Sequence, residues 1–167
     1  MTAALPRRAE LVDWRALTPA ERDAVLGLVI SPGQAEFAGD VGKSVAACEA
    51  ANPAEVAGLA VRVDGAVVGW VVLKRGAAAP DWVGADTAVV GGLRIDTRHQ
   101  GRGLGGAALA ALADWVARHW SRTALLTLRV DDGNAAGIRA YEKAGWIETG
   151  ERRVGRVGVE RTMSLRL

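Results

Sequence analysis

Residues 98–116 read RHQGRGLGGAALAALADWV, in which Gly101, Gly103, Gly105 and Gly106 crowd ahead of an unbroken run of small apolar residues. Alanine and leucine form helix readily, whereas glycine costs roughly 1 kcal/mol relative to alanine at each helical position. So many glycines at one helix start imply a sharp turn or a close approach to the backbone. Beyond them, Leu104, Ala107, Ala108, Ala111, Leu112, Trp115 and Val116 fall on one stripe at helical spacing. A stripe this small lets the helix lie close against a sheet.

A helix start presents about four unpaired N–H groups and a partial positive charge. Stripped of side chains, the amides of Gly101, Arg102, Gly103, Leu104, Gly105 and Gly106 make a seat for a diphosphate. Arg94, Arg98 and Arg102 flank the knot and add positive charge. The alternative is a tight loop that needs glycine only for its backbone angles.

Two nucleotide motifs are imitated without their context. Gly101-x-Gly103-x-x-Gly106 matches the dinucleotide fingerprint, but there the first glycine follows directly on a strand that opens a βαβ unit. Here residues 96–100 intervene, a hairpin precedes, and about 60 residues follow, too few for a doubly wound sheet. Gly42-Lys43-Ser44 resembles the end of a P-loop, yet Phe37 stands where that loop needs glycine.

The remaining elements form one mixed α/β domain over residues 1–167. Residues 11–14 read as the end of a strand, and Thr18-Pro19-Ala20-Glu21 as a capping box. The helix that follows buries Ala24, Val25, Leu28 and Val29, Ser31-Pro32-Gly33 stops it, and residues 34–50 form a weak second helix. Leu59, Val61 and Val63 alternate with polar or small residues, Asp64-Gly65 turns the chain, and Val67, Gly69, Val71 and Leu73 return. Residues 76–86 are a loop, and 88–95 are the strand before the knot. Residues 124–130 are a strand, Asp131-Asp132-Gly133 turns, and Asn134 caps a helix that runs to Ala144 with Gly145 after it. Strands at 146–148 and 157–167 close the chain, and the exposed last strand makes a homodimer an expectation.

Composition removes other classes. The net charge of +2 is too small to signal nucleic acid, and no apolar run approaches the ~18 residues of a membrane span. Residues 1–14 lack an apolar signal core, and Cys48 is alone, so a cytoplasmic protein without disulfides is expected. His99 and His119 are too isolated to imply a metal.

Gln100-Gly101-Arg102-Gly103-Leu104-Gly105 resembles the Q/R-x-x-G-x-G/A motif of the GNAT N-acetyltransferase superfamily. Asn134-Ala-Ala-Gly-Ile-Arg-Ala-Tyr141-Glu-Lys-Ala-Gly145-Trp146 is similar to that family's N-x-x-A-x-x-x-Y-x-x-x-G-F segment, with Gly137 for alanine and Trp146 for phenylalanine. The resemblance covers nearly the whole chain. It implies a GNAT fold: a mostly antiparallel sheet of six to seven strands, flanked by helices and splayed between its central strands, with acetyl-coenzyme A in the gap. Ser31-Pro32-x-Gln34-x-x-Phe37, Ser44 and Asn52-Pro53 resemble the bacterial polyamine branch, which acetylates spermine, spermidine or similar small amines. Val89-Val90-Gly91-Gly92 departs from that branch, which carries bulky aromatic and arginine residues there.

The implied reaction is direct attack of a neutral primary amine on the acetyl thioester. By the resemblance, residues 100–106 and Asn134 contact the coenzyme, the backbones of Leu93 and Ile95 pair with its pantetheine arm, and Leu93 N–H faces the developing oxyanion. Tyr141, the sole tyrosine, shares a helical face with Asn134 and Ile138 and is the expected proton donor to the leaving thiolate. The base is left open between Asp86, Asp96 and water. Glu36, Asp40 and Glu49 are candidate carboxylates for a cationic acceptor, and Trp82 is a candidate pocket wall. Cys48 lies outside both motifs, so no covalent enzyme intermediate is expected. The alternatives are a protein or peptide acceptor, and a coenzyme-binding module without catalysis.

Overall fold

The computed structural model describes residues 7–167; the reading of residues 1–6 as free of a signal core lies outside them. Seven strands, β1 (Glu10–Asp13), β2 (Val56–Val63), β3 (Ala66–Lys74), β4 (Thr87–Ile95), β5 (Leu125–Asp131), β6 (Ile147–Val154) and β7 (Val159–Arg166), make one sheet. Among the described residues five α-helices accompany them: α1 (Pro19–Leu26), α2 (Pro32–Ala38), α3 (Val41–Ala50), α4 (Leu104–His119) and α5 (Ala135–Lys143). The strand order is β1-β2-β3-β4-β5-β7-β6. All neighbours are antiparallel except β4 and β5, which run parallel.

The sheet has a core on each face. Leu59, Val61, Leu73, Leu126 and Leu128 point toward α4 and α5, where Leu109, Leu112 and Val116 meet them. Each such leucine, fully buried, contributes roughly 1.5–3 kcal/mol of transfer free energy. On the other face Ala60 and Trp70 meet Val25, Val45 and Cys48 of α1 and α3. Trp70 donates to Ser44 Oγ at 3.0 Å and packs edge-on against Trp14. Gly58 makes room for that indole: a Cβ there would stand 2.5 Å from the Trp70 ring.

Local chemistry sets several boundaries. Thr18 and Glu21 form the expected reciprocal cap, with Pro19 in the first turn. Asp64 and Gly65 take the left-handed angles (φ 51° and 80°) that a two-residue hairpin turn requires. Asn134 caps α5 by accepting from Gly137 N–H at 3.1 Å.

Four expectations need correction. Ser31-Pro32-Gly33 starts a helix instead of stopping one: α1 ends at Gly27, and the Ser31 hydroxyl accepts from Gln34 N–H to cap α2. Residues 34–50 are therefore two helices, broken at Gly39 (φ 75°), with Asp40 capping the second. Of the four residues expected on the buried face of α1, only Val25 is fully buried; Leu28 is half-buried, and Ala24 and Val29 are exposed. Lastly, the final strand β7 lies inside the sheet between β5 and β6. Among the described residues the free edges are β1 and β6, so the premise for a dimer through the last strand is gone.

Candidate active site

The parallel pair β4–β5 holds only at its start, where residues 87–89 face 125–127. Beyond Val89 the strands part. β4 also bulges there, because Trp70 pairs with Arg94 but Val72 pairs with Gly91, leaving Gly92 and Leu93 against Val71. Gly92 adopts φ 60°. Arg94 braces the bulge, with Nε donating to the Gly92 carbonyl at 2.9 Å and Nη2 to the Ala38 carbonyl at 2.6 Å. It is 2 % exposed and serves the backbone through these two bonds, while its buried Nη1 has no partner and the residue lines the cavity that runs from the knot.

Asp96 ends β4 and organises the approach to the knot. Its carboxylate accepts from the Arg98 guanidinium at 2.6 and 2.9 Å, from Arg98 N–H at 2.8 Å and from Val29 N–H at 2.8 Å. The guanidinium, helped by the two backbone amides and opposed by burial, holds this carboxyl far below the usual carboxylate range. Asp96 is thus a joint between the α1–α2 loop and the knot, not a base. Arg98 is exposed but already paired in this joint, which leaves Arg102 as the exposed flanking arginine outside it.

Gly101 and Gly103 take φ 74° and 73°, and Gly103 caps α4 without any side-chain bond. The first bond back into the turn is Ala107 N–H to the Gly103 carbonyl, so the amides of 104–106 face outward as orphans. A Cβ built at Gly101, Gly103, Gly105 or Gly106 meets nothing within 4 Å. At 105 and 106 neither the backbone angles nor any neighbour calls for glycine. What remains is a cradle open to a ligand, the fit a diphosphate needs.

Two cavities meet at the parted strands. One, of about 940 Å³, runs from the knot along Gln34, Leu93 and Ile95 to Ala140 and Tyr141. The other, of about 140 Å³, lies toward the ends of β5 and β7, among Gly91, Arg129, Asp131 and Glu160. Leu93, Asn134 and Tyr141, with Phe37 and Ala38, line both. Nearly all the expected coenzyme residues reach the larger cavity, Arg102 excepted. Ile95 differs from expectation in one respect: its carbonyl already accepts from Gln100 Nε2 at 2.9 Å, and the Gln34 side-chain amide lies against the same stretch of strand. Gln100 thus holds the strand rather than aiming at a diphosphate.

Tyr141 stands on α5 with its ring 5.8 Å from that of Trp146. Burial alone pushes its hydroxyl up to about 12, above the ordinary value near 10. Gly137, the departure from the family segment, has a packing reason. A Cβ there would lie 2.6 Å from the Asn134 side chain, which folds over the helix start to cap it.

Several candidates fall away from the site. Asp86 precedes β4, seven residues before Leu93, so more than about 20 Å of strand separates it from the bulge. Asp40 caps α3, and Glu49 accepts from Trp14 Nε1 at 2.9 Å. Glu36 does not line either cavity. Cys48 is buried between α3 and β2, where desolvation pushes its thiol up. Trp82 lines neither cavity, but its ring covers the Arg129 guanidinium at 3.7 Å. Asp131 and Glu160, which sequence reasoning missed as site residues, face each other directly across β5 and β7. The signal was the alternation Thr127, Arg129, Asp131 on one face of β5, but its partner depends on a long-range register.

A family model described as the acetyltransferase (GNAT) family matches residues 29–146, and the chain belongs to that family. Among solved structures it is similar to the GNAT domain of S. lividans PAT, at 23 % identity and a TM-score of 0.71 over 99 % of this chain and 96 % of that one. It is similar to the aminoglycoside acetyltransferase AAC(6')-Ib in complex with coenzyme A, at 17 % identity and TM-score 0.73, covering 95 % and 94 %. Spermidine N-acetyltransferase from Vibrio cholerae, in complex with coenzyme A and spermine, gives 16 % identity and TM-score 0.70, covering 95 % of each chain. These likenesses concern the fold, and they bear out the expected splayed, mostly antiparallel sheet. No curated protein matches at a significant level. Among the described residues no helix is long and apolar enough to cross a membrane.

Proposed function

We propose that this chain, as one cytoplasmic domain, transfers the acetyl group of acetyl-coenzyme A directly to the primary amine of a small molecule. The observation that carries the reading is the meeting of a long cleft and a small pocket at Leu93, Asn134 and Tyr141. A reaction that joins a large carrier to a small acceptor needs two such entrances and one shared point.

The carrier supplies an acetyl group activated as a thioester. The amides of residues 101–106 hold its diphosphate, aided by the charge of Arg102 and by the α4 dipole. The β4 edge at Leu93 and Ile95 lines the path of the pantetheine arm, and Gln34 and Gln100 shift to free the Ile95 carbonyl. Leu93 N–H, freed from the ladder by the bulge, faces the acetyl oxygen as charge develops there. Tyr141 gives its hydroxyl proton to the sulfur as the carbon–sulfur bond breaks, then regains a proton from solvent. Cys48, buried and with a raised thiol pKa, is unsuited to carry the acetyl group, which favours one-step transfer.

A thiol-release assay with acetyl-coenzyme A and a panel of amines tests this, beside titrations with coenzyme A and NADH. Acceptor-dependent thiol release and coenzyme A binding are expected. Coenzyme A binding without release on any amine would leave only a binding module. NADH binding without coenzyme A binding would restore the dinucleotide alternative.

A further inference from the structure

The small pocket carries its own charge pattern, and it does not suit a polycation. Its charged lining is two carboxylates, Asp131 and Glu160, and two guanidiniums, Arg129 and Arg156. Asp131 and Glu160 are cross-strand partners on one face of the antiparallel β5–β7 pair. Like charges so placed repel unless a cation sits between them. Asp131 Oδ1 accepts from Gly133 N–H at 2.7 Å, but its Oδ2 is buried with no partner. Gly158 leaves the space over that oxygen open, since a Cβ there would stand 2.9 Å from it.

Arg129 lies two residues back on the same face of β5, about 7 Å along the strand. Trp82 pins its guanidinium from one side, and its Nε–H is buried without an acceptor. Arg156 is engaged elsewhere, donating to the Glu36 carbonyl of α2. The pocket therefore holds one orphaned acceptor and one orphaned donor of opposite charge, within a strand's reach of each other. Buried orphans of this kind are costly unless a ligand satisfies them.

Resting on acetyl transfer at Tyr141, we infer that the acceptor is a small zwitterion, whose ammonium is held by Asp131 and Glu160 and whose carboxylate is held by Arg129. The planar guanidinium suits a carboxylate through parallel N–H bonds. A pocket of about 140 Å³ has room for about five groups at the ~30 Å³ share of a water, the scale of a small free amino acid. Asp131 is then placed to take the ammonium proton, leaving the nitrogen lone pair free to attack the acetyl carbon; the second nitrogen proton leaves to solvent as the carbon–sulfur bond breaks and Tyr141 protonates the sulfur. The balanced charge departs from the polyamine expectation, which calls for an excess of carboxylates.

Thiol release is measured with acetyl-coenzyme A and three acceptor sets: the common amino acids, their carboxamides, and spermidine. At least one amino acid should exceed its own amide and spermidine tenfold in kcat/KM. In Arg129→Gln that ratio should fall to near one while coenzyme A still binds, which shows that the variant is folded. Spermidine or the amides serving as well as any amino acid would overturn the inference and leave acetyl transfer standing. A preference that survives Arg129→Gln would overturn the role of Arg129. No release with any acceptor, despite coenzyme A binding, would instead remove the transfer reaction on which the inference rests.

Discussion

The Tyr141 hydroxyl, pushed up to about 12 by burial, keeps its proton through the whole physiological range. A raised value makes it a weaker acid but one that is always charged with its proton. The rate of the wild type should therefore show no falling limb below pH 10 from loss of this proton, as a pH profile of kcat will check. Tyr141→Phe should lower kcat about 100-fold, the lower range of general acid catalysis, with coenzyme affinity changed only a few-fold. Unaltered kcat in the phenylalanine variant would take the residue out of that role. Asp96 works in the opposite direction. Its folded value lies below the ordinary ~3.9, so its stabilisation is fully present above about pH 4 and fades as acid protonates it. Asp96→Asn should cost about 1–3 kcal/mol at pH 7, because one accepting oxygen becomes an NH2 donor facing two of the four N–H groups, and the charge opposite Arg98 is lost. It should also flatten the loss of stability between pH 4 and pH 2 in urea titrations.

At the level of elements, the start of α4 is where folding and function pull apart. Gly106 is exposed, sits inside the helix and touches nothing. Gly106→Ala should raise stability by ~0.5–1 kcal/mol, since alanine is the better helix former. The same methyl group intrudes on the cradle, so coenzyme affinity should fall at least tenfold by calorimetry. Gly103→Val is a poorer probe, because φ 73° strains any β-branched residue there regardless of ligand. This helix was legible in the sequence because sixteen residues of one period leave little choice. The α2–α3 region was not. Ser-Pro can close one helix or open the next, and only Gly39 and the cap at Asp40 separate what periodicity merges. Asn134 was legible as a cap from local spacing, and Tyr141 beside it from the resemblance of the same short segment to the family's. Asp131 and Glu160 were not, because what joins them is the register of β5 on β7, with α5 and β6 between them in the chain.

Across the whole molecule, the sheet is continuous from β1 to β6 yet opened at its middle, where β4 and β5 share only three paired positions. A ligand seated in that opening adds contacts to both halves and binds only the folded chain. Coenzyme A at 100 times its dissociation constant should stabilise the fold by about 2.7 kcal/mol and raise Tm by roughly 5–10 °C, and NADH should not. In the proposed reaction the bare amides at the start of α4 hold the diphosphate of the acyl carrier beside the opened strand. The most direct measurement is a titration of 15N-labelled protein with coenzyme A, followed amide by amide. The largest shifts should fall at Gly101, Gly103, Gly105, Gly106 and Leu93. Saturable binding that leaves those five amides unmoved would contradict that placement of the diphosphate.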